Sequence, residues 1–301
     1  MLLRSSILAL ALVLAATLAV PVRATTDQDL KAFPTKVVMP LLDRTMEGKD
    51  PTQGATAASS NNLVYGGGSI QKVPKVYLVF WCWNGVDPAG EAPYLQNFFN
   101  GVGGSAWIGT QTQYTETARG AITNPTGQLK GVWFDNSCTV PPVPDVQIDS
   151  EALRAAQHFG YDQDANYIIA TPHNHNDAQF GVPGGYCAWH SATRDTLNRW
   201  VAYTDLPYIP DAALGVCGQN FVNSGAAGNL DGVSMVAGHE YAEAITDPVP
   251  TSGWADSSGQ ENADKCAWIS SGSGKAHNIA LSTGTFAIQT LWSNAVSGCA
   301  G

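Results

Sequence analysis

Apolar residues run together at several places along the chain, and each run predicts a different kind of element. Residues 7–20 form an apolar stretch behind a short segment ending at Arg4, with Pro21 and a Val22-Arg23-Ala24 signature after it. That is the layout of a secretory signal peptide cut after Ala24. A membrane anchor needs roughly 18 or more apolar residues, and this run is shorter. No later segment approaches that length without polar interruption, so the mature chain is expected to be soluble.

Residues 25–72 are poor in periodic apolar positions and rich in Thr, Gln, Ser, Asn and Gly, ending near Gly66-Gly67-Gly68. They read either as a leader or pro-segment draped over a core formed later in the chain or as a disordered linker. The continuous run Lys75-Val-Tyr-Leu-Val-Phe-Trp-Cys-Trp83 predicts a strand buried on both faces. A helix is expected over residues 92–99, a strand over 129–134, an amphipathic helix opening at Asp149-Ser150-Glu151 and running to about His158, and a buried strand over 165–170. Residues 184–190 and 199–204 predict two more strands, the second more exposed. A long helix is expected over 231–245, stopped by Asp247-Pro248 because proline disfavours the helical state in the residue before it. A shorter helix is expected over 258–267, then a hairpin over 279–292 turning near Ser282-Thr283-Gly284. Alternating strands and helices of this kind predict an α/β fold: a mixed, mostly parallel sheet packed on helices, with one site-bearing helix and a C-terminal helix-plus-hairpin region. The expected organisation is signal peptide 1–24, leader 25–72 and one α/β domain over 73–301.

Charge narrows the partners. The formal net charge is -10, cleavage would remove two arginines, and basic stripes are absent, which argues against nucleic acid or an anionic membrane. Six cysteines (Cys82, Cys138, Cys187, Cys217, Cys266 and Cys299) in a chain bound for an oxidising compartment predict disulfides. The spacing suits Cys187 with Cys217 and Cys266 with Cys299, leaving the connectivity open.

The chemistry concentrates in Val233-Ser-Met-Val-Ala-Gly-His239-Glu240-Tyr-Ala-Glu243-Ala-Ile-Thr-Asp247-Pro248. On a helix, positions four apart lie one above the other, so His239 and Glu243 project from one face while Glu240 points about 100° away. Two ligands thereby grip one ion, with Glu240 at the edge of its sphere as a proton acceptor for an activated water. This is the geometry of the zinc-protease motif H-E-x-x-H with glutamate in the second ligand position. Exchanging imidazole for carboxylate neutralises part of the ion's charge and weakens its Lewis acidity. Ala237, Gly238 and Ala242 are expected to let the helix approach the sheet closely. The competing reading is a surface helix whose His and Glu make ordinary polar contacts.

A catalytic zinc site takes three protein ligands. The segment Gly253-Trp254-Ala-Asp256-Ser-Ser-Gly-Gln-Glu261-Asn-Ala-Asp264-Lys-Cys266 supplies the candidates. Glu261, expected near the start of the next helix, is the first choice; Asp264 is either its supporting partner or the true ligand, and Asp247 and Asp256 follow. Helix N-terminal charge stabilisation would explain these acids without a metal. His173 and His175 would share a strand face and hold a second ion, or belong to a polar loop. Cys187-Ala-Trp-His190 reads as a disulfide cysteine beside a histidine that lines the cleft and stabilises an oxyanion, or simply packs. Trp81, Trp83, Trp189, Trp254 and Trp268 read as core or cleft wall.

Six stretches in this order resemble the EXORDIUM-like (phosphate-induced) extracellular proteins of plants and their secreted bacterial relatives: Leu63-Val-Tyr-Gly-Gly-Gly, the strand over 76–83, Gly185-Tyr-Cys-Ala-Trp-His190, Gly238-His-Glu-Tyr-Ala-Glu243, Glu261-Asn-Ala-Asp-Lys-Cys266 and Gln289-Thr-Leu-Trp-Ser-Asn294. The resemblance runs from Leu63 to the C-terminus and implies extracellular residence and the importance of the His239–Glu243 helix; the plant members are associated with cell-wall growth signalling rather than a settled reaction. The strand order and helix also resemble zinc-dependent proteases of the zincin type. That likeness implies a zincin-like fold, with His239 and Glu243 as ligands and Glu240 as general base.

The expected function is a secreted metallopeptidase holding one divalent ion, zinc, per chain. His239, Glu243, Glu261 and Asp264 form the ligand set, Glu240 and His190 the catalytic pair, and a peptide or protein is the substrate of a monomer. The alternatives are a non-catalytic EXORDIUM-like binding or signalling module with a structural metal or none, and a carbohydrate-binding protein of the cell wall.

Overall fold

Alternation along the buried strands decides which side chains meet which helix. The computed structural model describes residues 37–42, 61–137 and 147–301; the expected signal peptide, most of the leader and Cys138 lie outside the described residues. In chain order the strands are β1 (Val37–Pro40), β2 (Val64–Tyr65), β3 (Lys75–Trp81), β4 (Thr115–Glu116), β5 (Gly120–Ala121), β6 (Leu129–Asp135), β7 (Ala165–Ala170), β8 (Tyr186–Arg194), β9 (Trp200–Leu206), β10 (Trp254–Ala255), β11 (His277–Leu281), β12 (Gly284–Ile288), β13 (Leu291–Ser293) and β14 (Gly298–Ala300). The α-helices are α1 (Glu91–Val102), α2 (Ala106–Gly109), α3 (Ile148–Phe159) and α4 (Asp231–Thr246).

The main sheet has six strands in the order β1-β8-β9-β7-β3-β6. β6, β3, β7 and β9 are parallel neighbours, β8 runs antiparallel to β9, and β1 runs antiparallel to β8. Val76, Leu78 and Phe80 of β3 face one layer with Phe98 of α1 and Val233 and Tyr241 of α4, while Val79 and Trp81 face the other with Ala152 and Ala155 of α3. β7 divides in the same way, Ile168 and Ala170 against Tyr167 and Ile169. Helices on both faces bury both sides of the parallel strands, which is why those strands read as unbroken apolar runs. The α/β class with a mixed, mostly parallel sheet is therefore seen.

α4 is buried over its whole length. Its apolar residues line the core, each fully buried Val, Met or Ile contributing about 1.5–3 kcal/mol. At its start the Asp231 carboxylate accepts the backbone N–H groups of Val222 and Asn223 at 2.9 and 2.6 Å. At its end Asp247 caps it and Pro248 follows. Gly238 is small for a reason other than sheet contact: a Cβ there would lie 2.8 Å from the Trp107 ring and 3.3 Å from Phe98, on α2 and α1. Gly238→Ala is expected to cost about 1–3 kcal/mol by overpacking, read as a lower denaturant midpoint at unchanged slope.

The disulfides Cys187–Cys217 and Cys266–Cys299 are present, and Cys82 is also disulfide-bonded. Disulfides point to an oxidising environment. By chain entropy each of the first two contributes about 3–4 kcal/mol. Among the described residues no helix is long and apolar enough to cross a membrane.

Several expectations are corrected. No helix spans 258–267; only Asp264–Cys266 makes a single 3-10 turn, because Asp256 accepts the N–H groups of Ser258 and Gln260 and Gly259 adopts a φ of +83°. The strand expected over 199–204 is not exposed: as β9 it lies between β8 and β7 and is almost wholly buried. The C-terminal region is two hairpins, β11–β12 and β13–β14, the first turning at Ser282-Thr283 as expected. Within the leader, β1 is an edge strand of the main sheet.

Glu151, on the buried side of α3, has its pKa lifted to about 8 by burial, which the Arg154 charge only partly offsets. The folded chain therefore holds that proton to higher pH than the unfolded chain does. Stability should fall as pH rises from about 5 through 8, then level off. Glu151→Gln should flatten that part of the melting-temperature profile; identical profiles would assign the pH dependence elsewhere.

Candidate metal centre

Four segments far apart in sequence meet at the middle of α4. His239, Glu240 and Glu243 project from the helix, His190 from β8, and Glu261 and Asp264 from the loop after β10, while β1 brings the backbone N–H of Met39. His239, Glu240, Glu243 and His190 are fully buried, Glu261 nearly so, and only Asp264 keeps partial exposure, at 15% of its side chain.

The ligand loop is held by Asn262, whose side-chain amide donates to Ala242 O, Thr246 Oγ1 and Gln111 Oε1 at 3.0, 2.9 and 2.7 Å. This clamps the loop to the C-terminal half of α4 and leaves Glu261 and Asp264 on either side of the clamp. Asp264 then donates its backbone N–H to Glu243 Oε1 at 2.9 Å.

His239 shows how the centre is poised. Gln289 Nε2 donates to Ala263 O at 2.9 Å, which fixes the amide and turns Gln289 Oε1 to His239 Nδ1 at 3.3 Å. Nδ1 is thereby the donor, and a neutral ring presents the lone pair of Nε2 to Glu243 Oε1 at 3.1 Å and Asp264 Oδ1 at 3.6 Å. Two carboxylates facing a lone pair repel it unless a proton or a metal cation lies between them. His190 faces Glu240 Oε2 and Glu243 Oε2 through Nδ1 at 3.2 and 3.5 Å, and Glu261 Oε1 through Nε2 at 3.7 Å.

Most of these separations are too long for charge-assisted hydrogen bonds, which run about 2.7–2.9 Å. Donor atoms about 2.0–2.2 Å from a tetrahedral ion sit roughly 3.3–3.6 Å from one another, and the separations here run from 3.1 to 3.7 Å around that range. Among the described residues His239 Nε2, His190 Nε2, Glu243 Oε2 and Glu261 Oε2 are buried with no hydrogen-bond partner. The donors fall into two groups able to hold an ion, His190 with Glu243 and Glu261, and His239 with Glu243 and Asp264. The residues present thus fit a metal.

Electrostatics point the same way. Burial disfavours a charged imidazole, yet Glu240 and Glu243 outweigh it and lift His190 to about 10. Glu243 and Asp264 lift His239 well above its ordinary value against the same burial penalty. Burial would raise Glu243, but the two imidazoles hold it down at about 2. Glu261 is pushed well up by burial and by the charges of Asp247 and Glu243. The field favours positive charge at both rings.

No family model, curated protein or solved structure matches the chain.

The sequence candidates sort by what surrounds them. His239, Glu240, Glu243, Glu261, Asp264 and His190 come together. Asp256 is occupied elsewhere, bonded to Lys265 Nζ at 2.7 Å. Asp247 spends Oδ1 on the Gly253 N–H at 2.7 Å, with a carboxyl raised to about 6 by burial. His190 lines no open cleft. His173 and His175 lie in the loop after β7 and not on a strand; His173 pairs with Asp211 at 2.5 Å, and neither belongs to a metal-holding group among the described residues. The tryptophans at 81, 83, 189 and 268 are buried.

Two participants carry no sequence signal of their own. Gln289 fixes the tautomer of His239 from fifty residues away. Met39 donates its backbone N–H to Glu240 Oε1 at 3.2 Å while β1 pairs with β8, Val37 opposite His190.

Proposed function

We propose that this chain is a secreted, metal-dependent hydrolase of zincin-like design, a peptidase, held closed by its own N-terminal strand. The observation that carries the reading is His239: its Nδ1 is committed to Gln289, and its unpartnered Nε2 faces Glu243 and Asp264 at 3.1 and 3.6 Å. A divalent ion bound there would supply Lewis acidity toward a peptide carbonyl and lower the pKa of a water. Imidazole with carboxylates suits zinc.

The chain's own groups carry the proton traffic. Glu240 takes the proton of the attacking water and delivers it to the departing amine. His190, 3.2 Å from Glu240, is a positioning residue that fixes this carboxylate. Asp264 keeps partial exposure, so solvent and substrate would approach a bound ion from its side, where a catalytic site would need an open position. Disulfides and the EXORDIUM-like resemblance support an extracellular setting.

Closure belongs to the reading. Glu240 accepts from the Met39 amide, so β1 occupies the carboxylate that has to meet the water. A hydrogen bond to a charged group contributes about 1.5–3 kcal/mol. Met39→Pro has no amide hydrogen to give, so it should raise peptide cleavage roughly tenfold or more. A rate indifferent to this substitution removes β1 as the cover.

Full burial also favours a second reading, a non-catalytic extracellular module whose ion staples α4 to the ligand loop. Elemental analysis of the purified chain and a peptide-cleavage screen with and without chelator separate the two. Chelator-sensitive cleavage supports the hydrolase; bound metal with no cleavage, even after release of the residues before Asn61, supports the module.

A further inference from the structure

Glu243 has two carboxylate oxygens, and they serve different histidines. Oε1 lies 3.1 Å from His239 Nε2, whereas Oε2 lies 3.5 Å from His190 Nδ1 and has no hydrogen-bond partner among the described residues. Beyond each histidine stands a further acid: Asp264 lies 3.6 Å from the same His239 Nε2, and Glu261 lies 3.7 Å from His190 Nε2, the ring nitrogen opposite the one that Glu243 Oε2 faces. We propose that Glu243 bridges two divalent cations, an outer one on His239 and Asp264 and an inner one on His190 and Glu261.

This rests on reading α4 as a metal centre, and extends it by a second ion. The inner group answers three requirements independently. His190, Glu243 and Glu261 each bring a donor atom within 4.8 Å of the others. His190 Nε2 and Glu261 Oε2 are buried and unpartnered among the described residues, an arrangement that costs free energy unless something binds them. His190 Nδ1 faces Glu240 at 3.2 Å, matching the pattern in which a ligating histidine gives its other N–H to a carboxylate.

Charge asks for the second ion as well. Glu240, Glu243, Glu261 and Asp247 are buried beside partly exposed Asp264, with two imidazoles and, among the described residues, no lysine or arginine paired to them. One divalent cation leaves much of that negative charge uncompensated, and uncompensated buried charge is costly. Two bring the cluster close to neutrality.

Depth divides the labour. The outer group reaches solvent through Asp264, whereas every donor of the inner group is closed off. Closed spheres are structural and open ones are catalytic. The inner ion is therefore the one that fixes Glu243 and, through His190, Glu240. One imidazole with two carboxylates suits zinc or manganese.

The test loads the full chain with zinc alone, removes free metal by gel filtration and measures zinc per chain. Two ions are expected in the wild type, one in His190→Ala and Glu261→Gln, and one in Asp264→Asn. Manganese-loaded wild type should give the electron-paramagnetic spectrum of an exchange-coupled pair, and Glu261→Gln that of an isolated ion. A single zinc per wild-type chain, or an uncoupled manganese spectrum, overturns the proposal. Retention of both ions in His190→Ala and Glu261→Gln overturns it equally. Should those variants fail to fold by near-ultraviolet circular dichroism, the wild-type manganese spectrum decides alone. Two ions without peptide cleavage sink the hydrolase and leave the bridged centre standing; one ion with chelator-sensitive cleavage does the reverse.

Discussion

Glu240→Gln should keep its metal and lose peptide cleavage by about 10²–10⁴-fold, the usual contribution of a general base. The substitution preserves shape and one acceptor oxygen but cannot take a proton from water. It also leaves one acceptor where Glu240 now has two, Oε1 for Met39 N–H and Oε2 for His190 Nδ1. One of those donors must lose its partner, so a modest fall in melting temperature should accompany the kinetic loss. The ligands themselves are untouched, and metal content by elemental analysis should match that of the wild type. A variant that cleaved at the wild-type rate would take Glu240 out of the chemistry.

Removal of metal should have the second large effect, and on stability. The centre concentrates buried carboxylates around two histidines, an arrangement that stabilises the fold only while positive charge is present. A ligand held at about a hundred times its Kd stabilises the folded state by about 2.7 kcal/mol. For a domain of this size each kcal/mol moves the melting temperature by roughly 2–4 °C, so a strong chelator should lower it by about 5–11 °C. Zinc in excess should restore it. A melting curve unmoved by chelator would mean that protons alone neutralise the cluster.

Much of the scaffold was legible because it is local. The strands over 75–81 and 165–170 announce themselves by β-branched and aromatic runs, and α4 by its stop at Asp247-Pro248. His239 and Glu243 follow from helical spacing alone. The loop carrying Glu261 and Asp264 was not legible as a loop, because its acids and small residues also satisfy a helix start. What excludes the helix is Asp256 capturing backbone N–H groups, together with the Asn262 clamp, and the clamp depends on Gln111 and α4. His190 was visible as a residue, but its partner Glu240 lies fifty positions away. The pairing exists only once β8 crosses α4. β1 was hidden for a related reason: four residues of a polar leader show no periodicity, and their order comes from the edge of β8.

The bond between Cys266 and Cys299 lies two residues beyond Asp264 and joins the acid-bearing arm to the last hairpin. With thiols reduced, that arm is a longer tether, and its two acids sample a larger volume around α4. Their effective concentration at the histidines drops, and affinity for a cation drops with it. By thermodynamic reciprocity a bound cation holds the two sulfurs near each other and makes their oxidation more favourable. Redox state and metal occupancy are thus two readings of one equilibrium.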